Sequence, residues 1–226
     1  MSDAPLAPRV LFSHPDFLVT LKPAGVSFHT EGEVPGYVAL VKALTGEPGL
    51  HPVHRLDRIT SGLVIFARHA DAAREFGRMF EDGEVAKCYL ALSDHKPAKK
   101  QGWVKGAMLK ARAGCWRLAR EGELRCATQF FSFSAADGLR LFVLRPLTGR
   151  THQLRVALKS LGAPILGDAR YGGSPADRGY LHAYALRFTW QDVCYDFVER
   201  PAEGALFALT SDQLTGKPWS LPWPEA

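Results

Sequence analysis

The sequence predicts an α+β domain built on a largely antiparallel sheet, and three observations lead there. Its 226 residues exceed the roughly 150-residue norm for one domain without reaching two, so one large domain is the economical reading. A composition of 46% hydrophobic and 23% charged residues is that of a globular chain. Short strand-like runs then outnumber helical patterns along it. No apolar stretch approaches the ~18 residues a spanning helix requires, and residues 1–8 have neither the basic start nor the apolar core of a secretory signal. Cys88, Cys115, Cys126 and Cys194 lie far apart with no C-x-x-C pair, which predicts free thiols in a reducing cytoplasm and argues against a zinc ribbon.

Strand-like runs at 9–12 and 17–21 flank the turn-forming Ser13-His14-Pro15-Asp16, and Lys22-Pro23-Ala24-Gly25 breaks the second. An amphipathic helix over 37–44 closes at Gly46. The apolar run 63–67, bounded by Thr60-Ser61-Gly62, reads as a buried strand. Ala73, Phe76, Met79 and Phe80 share one face of a helix over 70–80 that stops at Gly83. A strand over 85–92 precedes a segment whose glycines at 102, 106, 114 and 122 mark loops or hairpin turns. Runs 127–134 and 139–144, joined across Ala136-Asp137-Gly138, read as an antiparallel hairpin. Thr151 is the expected N-cap of a helix over 151–161, with Leu154, Leu158 and Leu161 as its stripe and Gly162 as its stop. Strands at 181–188 and 193–197 follow, and a tail with Trp219 and Trp223 among three prolines is either packed or loose.

The net charge of +5 is unevenly spread. Nine basic residues (Lys96, Lys99, Lys100, Lys105, Lys110, Arg112, Arg117, Arg120, Arg125) face two acidic ones between 96 and 125. The whole positive excess sits there. The segment is a solvated face or an arm that tracks phosphates, since clustered Lys and Arg release counterions condensed on nucleic acid.

The densest cluster of reactive types is His54-Arg55-Leu56-Asp57-Arg58-Ile59-Thr60-Ser61-Gly62. Positive neighbours favour the charged form of a carboxylate, so Asp57 is suited to act as nucleophile or base, or to pair structurally. His54 alone reads as structural. H-E-x-x-H, G-x-x-x-x-G-K-[ST] and G-x-G-x-x-G are all absent. A second cluster, Thr148-Gly149-Arg150-Thr151-His152-Gln153-Leu154-Arg155, opens a predicted helix, whose N-terminus favours an anion. Arg150, just outside it, offers a two-pronged contact to a carboxylate elsewhere; a surface cap with solvated arginines is the plain alternative. Tyr89, in an alternating run, reads by itself as a core tyrosine.

Taken together, Lys22-Pro23-Ala24-Gly25, the segment His54–Leu63, Lys87-x-Tyr89 and Gly149-Arg150-Thr151-His152-Gln153-Leu154-Arg155-Val156 resemble the RluA family of RNA pseudouridine synthases. Leu166-Gly167-Asp168-x-x-Tyr171-Gly172 and Leu181-His182-Ala183 extend the resemblance, which spans roughly 17–190 in the family's order. It implies the pseudouridine synthase fold: a single catalytic domain on a mixed, largely antiparallel bent β-sheet flanked by helices and loops. Here that domain is expected over 9–200, with 96–125 a basic RNA-contacting insertion and 201–226 a C-terminal tail. Only 21 residues precede the first motif at Lys22, so no S4-type module is expected ahead of it.

The implied reaction breaks the N1–C1′ bond of a uridine in RNA, turns the uracil and bonds C5 to C1′. It needs no redox change, so no cofactor and no metal is expected. Asp57 matches the catalytic aspartate, which would attack C1′ or the base, or remove the 2′ proton. Arg150 matches the arginine paired with it. Tyr89 matches the tyrosine that stacks on uracil and assists removal of the C5 proton, a task that asks a phenol of pKa ~10 to work near neutrality. A stacked uridine must be flipped out to reach such a site, and Arg55 suits the vacated space. His54, Leu154, Arg155, Lys99, Lys100, Lys105 and Arg112 complete the expected contacts to substrate and RNA, with Leu154 a wall residue and Ile65 core. Where the family often has His, this chain has Ala157. The expected partner is a structured rRNA or tRNA stem-loop, met by a cytoplasmic monomer with no membrane association. A non-catalytic RNA-binding module on the same fold is one competing reading; a glycosidic-bond hydrolase is the other, although such enzymes normally work with two carboxylates about 5 Å apart and the sequence shows no obvious second one near this motif.

Overall fold

A computed structural model describes residues 7–136, 138–213 and 218–225. Eleven strands form one sheet: β1 (Arg9–Ser13), β2 (Phe17–Lys22), β3 (His51–Pro52), β4 (Thr60–Ala67), β5 (Ala86–Ser93), β6 (Gln101–Lys110), β7 (Trp116–Ala119), β8 (Arg125–Ser134), β9 (Arg140–Pro146), β10 (Leu181–Trp190) and β11 (Val193–Val198). Their order is β1-β2-β4-β10-β5-β9-β8-β6-β7, with β3 added beside β4 and β11 beside β10. Among the described residues every pairing is antiparallel except β4 with β10, where Leu181, His182 and Ala183 lie against Thr60, Ser61 and Gly62. The expected α+β class with a mixed, mostly antiparallel sheet is therefore found.

Helix α1 (Tyr37–Thr45) ends at Gly46 in the left-handed conformation, the glycine-favouring stop. Its Tyr37 and Val41 pack on Leu18, Val64 and Phe66. Helix α2 (Ala70–Glu81) sets Ala72, Phe76 and Met79 against Phe17, Val19, Leu63 and Ile65. Alternate residues of β2 and β4 thus face different helices, which is why β4 is buried throughout and reads as an unbroken apolar run. Helix α3 (Gln153–Ser160) adds Leu154, Ala157 and Leu158 to the largest core, which also holds Leu90, Leu92, Phe142 and Leu144.

Two expectations change. Of the loops or hairpin turns expected in the basic segment, the structure has a β6–β7 hairpin beside β8, with Gly114 in its turn but Gly102 and Gly106 inside strand β6. Its glycines obscured the strand: a Cβ on Gly106 would lie 2.5 Å from Ala119 O, so this strand glycine permits close approach of β7. Thr151 is not the N-cap of α3; His152 holds that place at φ 57° with no side-chain cap bond. The turn is closed from within the helix, where Gln153 Oε1 accepts from Arg150 N at 3.0 Å and from Thr148 Oγ1 at 2.7 Å. Gln153 Nε2 in turn donates to Ala127 O and Thr128 Oγ1 on β8. Asp137, in the expected hairpin turn, and residues 1–6 lie outside the described residues. The described part of the tail is packed, residues 214–217 and 226 lying outside the described residues: Phe207, Trp219 and Trp223 join the largest core, and Gln129 Nε2 and Trp103 Nε1 donate to Pro224 O and Glu225 O.

Candidate active site

The loop between β3 and β4 carries Asp57, and buried bonds hold its backbone. Lys22 Nζ donates to Pro23 O and Thr60 O at 3.0 Å and to Arg58 O at 3.4 Å. Burial, aided by the positive charge of Arg178, pushes this ammonium down to about 7. Gly25 N donates to Arg58 O, and Arg58 Nε returns a bond to Gly25 O. The Lys-Pro-Ala-Gly turn is thus the clamp on the acidic loop, and Arg58 latches it. On the other side His54 Nε2 accepts from Ile65 N at 3.0 Å, and burial drives its pKa down to about 3, so His54 is a neutral wall group packed on Phe80. Ile65 itself is fully buried in the core, as expected.

The parallel β4–β10 pair sets Leu181 beside the Asp57 loop. A Cβ on Gly62, where φ is +117°, would fall 2.3 Å from Ala183 O, so glycine is what lets these strands meet. Next to it His182 Nε2 faces Glu199 O at 2.9 Å, so that nitrogen carries the proton and Nδ1 accepts from Ser61 Oγ at 2.7 Å. This Ser–His pair is buried and serves to join strands.

Arg155, in the first turn of α3, reaches Asp57. Its Nη1 donates to Asp57 Oδ2 at 3.1 Å, while Nε and Nη2 fork onto Asp168 at 2.7 and 2.8 Å. Burial disfavours this cation, but the bonds and charges of Asp168 and Asp57 outweigh it and hold its pKa above the ordinary value. The guanidinium also lies 4.9 Å from the Tyr171 ring centre. The carboxylate partner expected at Arg150 is therefore Arg155, and Arg155 is not a free RNA contact: its side chain is 6% exposed between two carboxylates. Arg150 sits outside the helix, and its Nε donates to Arg125 O at 3.0 Å, which keeps it at the mouth of the cleft. The reason is the αL turn at His152, after which the first helical residues face inward.

These groups line a cleft of about 750 Å³ with Tyr89, Leu154, Leu181, Phe80 and Lys87 as walls. Asp57 is 18% exposed within it. Tyr89 stands between Ala183 of β10 and Leu144 of β9, and burial with the charge of Asp57 pushes its phenol further above its ordinary pKa. That runs against a role as a phenolate base. His152, whose pKa is lowered chiefly by burial, has Nδ1 2.8 Å from Tyr171 Oη and Nε2 3.9 Å from Asp57 Oδ1. Arg55 is exposed at the rim.

Lys99, Lys100, Lys105 and Arg112 do not line the cleft. Lys105 alternates with Val104 onto the opposite face of the sheet, where its Nζ lies 4.2 Å from the Trp103 ring centre. Lys99 and Lys100 are exposed ahead of β6. Arg112 opens the β6–β7 turn, whose carbonyls Ala113 O and Gly114 O accept from Arg170 and whose Trp116 N donates to Tyr171 Oη. The roles of Lys22, Lys87, His152, Asp168 and Tyr171 were not readable from the sequence, although each sits in a motif that drew attention. Asp168 is a second carboxylate one guanidinium away from Asp57, but it is 1% exposed and both its oxygens bond Arg155. It is not open to a sugar, so Asp168 is not a second acid for the hydrolase reading. Among the described residues no three His, Cys, Asp or Glu side chains converge as metal ligands, and no helix is long and apolar enough to cross a membrane.

A family model described as RNA pseudouridylate synthase matches residues 16–160. An uncharacterized RNA pseudouridine synthase of Haemophilus influenzae is 46% identical over 198 residues, covering 87% of this chain and 88% of that one. The dual-specificity RNA pseudouridine synthase RluA of Escherichia coli K12 is 32% identical over 197 residues, covering 80% and 86%. Among solved structures, human RNA pseudouridylate synthase domain containing 1 superposes with a TM-score of 0.74 at 26% identity, over 96% of this chain and 97% of the other.

Proposed function

This chain belongs to the RluA-type RNA pseudouridine synthases, isomerases that act on RNA, and on that premise we propose that Asp57 is its catalytic carboxylate, Arg155 the partner of that carboxylate, and Tyr89 the platform for the uracil. The observation that carries the reading is the convergence of the partly exposed Asp57 carboxylate, the Arg155 guanidinium and the Tyr89 ring in one cleft. Arg155 engages Oδ2, and Oδ1, with His152 Nε2 3.9 Å away, accepts no hydrogen bond among the described residues, as attack on C1′ or the base, or removal of the 2′ proton, requires. Flipping the target uridine costs a few kcal/mol. Stacking on Tyr89, filling of the vacated space by Arg55, and phosphate contacts from the basic rim offset that cost.

The proposed targets are uridines in rRNA or tRNA stem-loops. The β6–β7 turn at Arg112 is the proposed flank of the RNA, since Tyr171 ties that turn to His152 beside the acid. Lys105, on the other face, has no part in it. Incubating in vitro transcribed rRNA and tRNA with the protein, then locating pseudouridine by carbodiimide labelling, tests the reading. Wild type is expected to create labelled sites, and Asp57→Asn is expected to create none while binding RNA comparably. Label formed by Asp57→Asn at the wild-type rate would remove Asp57 from the chemistry, and binding without label by wild type would favour the non-catalytic module.

A further inference from the structure

Two buried lysines flank the site, Lys22 beneath the acidic loop and Lys87 in the wall of the cleft, and they are satisfied in opposite ways. Lys22 Nζ meets three backbone carbonyls. Lys87 is only 8% exposed on β5, yet no described carbonyl, hydroxyl or carboxylate bonds its ammonium, which lies 5.5 Å from the Phe80 ring centre and near enough to His54 to help keep that ring neutral. Nor is Nζ among the unpartnered polar atoms that are wholly enclosed, which are Arg68 Nε, Gln129 Oε1 and Arg187 Nε. It therefore opens onto the cleft that it lines. Burial lowers its pKa with no charged group opposing the shift. A desolvated ammonium with a single weak cation–π contact is an anion site awaiting its anion.

Asp57 is not that anion, because Arg155 holds it, and Glu81, which also lines the cleft, makes no ion pair with Lys87. Lys87 and Tyr89 project from the same face of β5, two residues or about 6–7 Å apart. Asp57, Tyr89 and Lys87 line one cleft, so a nucleotide stacked on Tyr89 with its sugar toward Asp57 occupies the space onto which this ammonium opens. We propose that Lys87 binds a phosphodiester oxygen flanking the flipped nucleotide, as a point-charge contact that enters use only when RNA fills the cleft. This rests on reading the cleft as a nucleotide pocket. Lysine suits the task because its compact ammonium needs no planar partner.

The test is binding of a labelled ten-nucleotide oligouridylate, followed by fluorescence anisotropy across a KCl series, for wild type, Lys87→Met and Lys87→Arg. Lys87→Met is expected to bind about tenfold more weakly at low salt, the loss of one charged hydrogen bond. The slope of log K against log salt is expected to shrink by about 0.7, as one phosphate contact fewer on a single strand requires. Lys87→Arg is expected to recover most of both. Unchanged affinity overturns the proposal, and so does weaker binding with an unchanged slope, which would mean contact with a neutral group of the base. Should Lys87→Met fail to fold, wild type decides alone: uridine 3′,5′-bisphosphate is expected to displace the strand at lower concentration than uridine, and equal displacement overturns the assignment. Failure of wild type to form pseudouridine in parallel reactions would sink the isomerase reading while leaving the salt slope to judge Lys87.

Discussion

Asp57 and Asp168 share one guanidinium, and that arrangement decides what each arginine of the motif does. Arg155 is flanked by a nearly enclosed carboxylate on one side and a cleft-facing one on the other. Removing it leaves Asp168 buried and unpaired, a defect that costs about 3–5 kcal/mol in comparable sites. Removing Arg150 breaks a hydrogen bond to Arg125 O at the exposed mouth of the cleft. Arg155→Met is therefore expected to lower thermal stability markedly and abolish pseudouridine formation, whereas Arg150→Met keeps the wild-type melting temperature and loses at most the part of its activity that depends on gripping RNA. Melting curves and turnover of the two variants on one transcript check this, and the reverse ranking would return the pairing role to Arg150. The sequence could not separate them, because Arg150 and Arg155 occupy one motif and only the αL residue at His152 determines which faces inward. Tyr89 carries a related lesson. Its place in the cleft was legible, but the direction of its pKa shift follows from burial and from the nearby Asp57, which only the fold brings together.

At the scale of elements, the runs with strong periodicity were readable: β2, β4, α1, α2 and the β8–β9 hairpin lie where apolar spacing and glycine stops put them. What spacing could not reveal is pairing across the sheet. The parallel contact of β4 with β10 joins residues more than a hundred positions apart, and it sets Leu181 against the acidic loop. The glycine that ends the His54–Gly62 motif is explained there and not by the loop itself. Gly62→Ala would force a Cβ to 2.3 Å from Ala183 O at a φ of +117°, so backbone must move on one strand or the other. We expect a loss of at least about 3 kcal/mol, the range of severe backbone defects, with activity falling in step because the Asp57 loop is displaced. Urea unfolding of the variant measures it, and a variant as stable as wild type would show that the strands can separate without harm. Strand β6 of the basic hairpin was hidden for the converse reason, because Gly102 and Gly106 lie within it while Gly114 is in the turn. Its glycines permit close strand contact where they usually signal a turn, and its charges follow from exposure on either side of the strands.

Over the whole molecule, the buried polar network that joins the sheet to the tail makes stability depend on acidity. His182 is 1% exposed, takes a hydrogen bond from Ser61 on β4 and gives one to Glu199 O just past β11. Arg178 donates to the same Ser61 oxygen at 2.8 Å and to Leu181 O, so a proton added to His182 would bring a second cation into that enclosure. Burial accordingly drives the His182 pKa from an ordinary 6.5 down to about 4. In the unfolded chain the ring protonates near 6.5, while in the folded chain it stays neutral until far lower pH. The unfolded state thus binds more protons between those values, and stability present above pH 6.5 is lost progressively as pH falls toward 4. At ~1.4 kcal/mol per pH unit, His182 alone is expected to remove about 2 kcal/mol between pH 7 and pH 5. His54, driven down to about 3 behind the acid, acts with the same sign. Replacing His182 with Asn, which keeps a donor and an acceptor without a titrating ring, should lower stability at pH 7 yet flatten its decline toward pH 5. Urea unfolding of both proteins at half-unit steps measures the slopes, and parallel declines would show that the ring is free to protonate in the folded state.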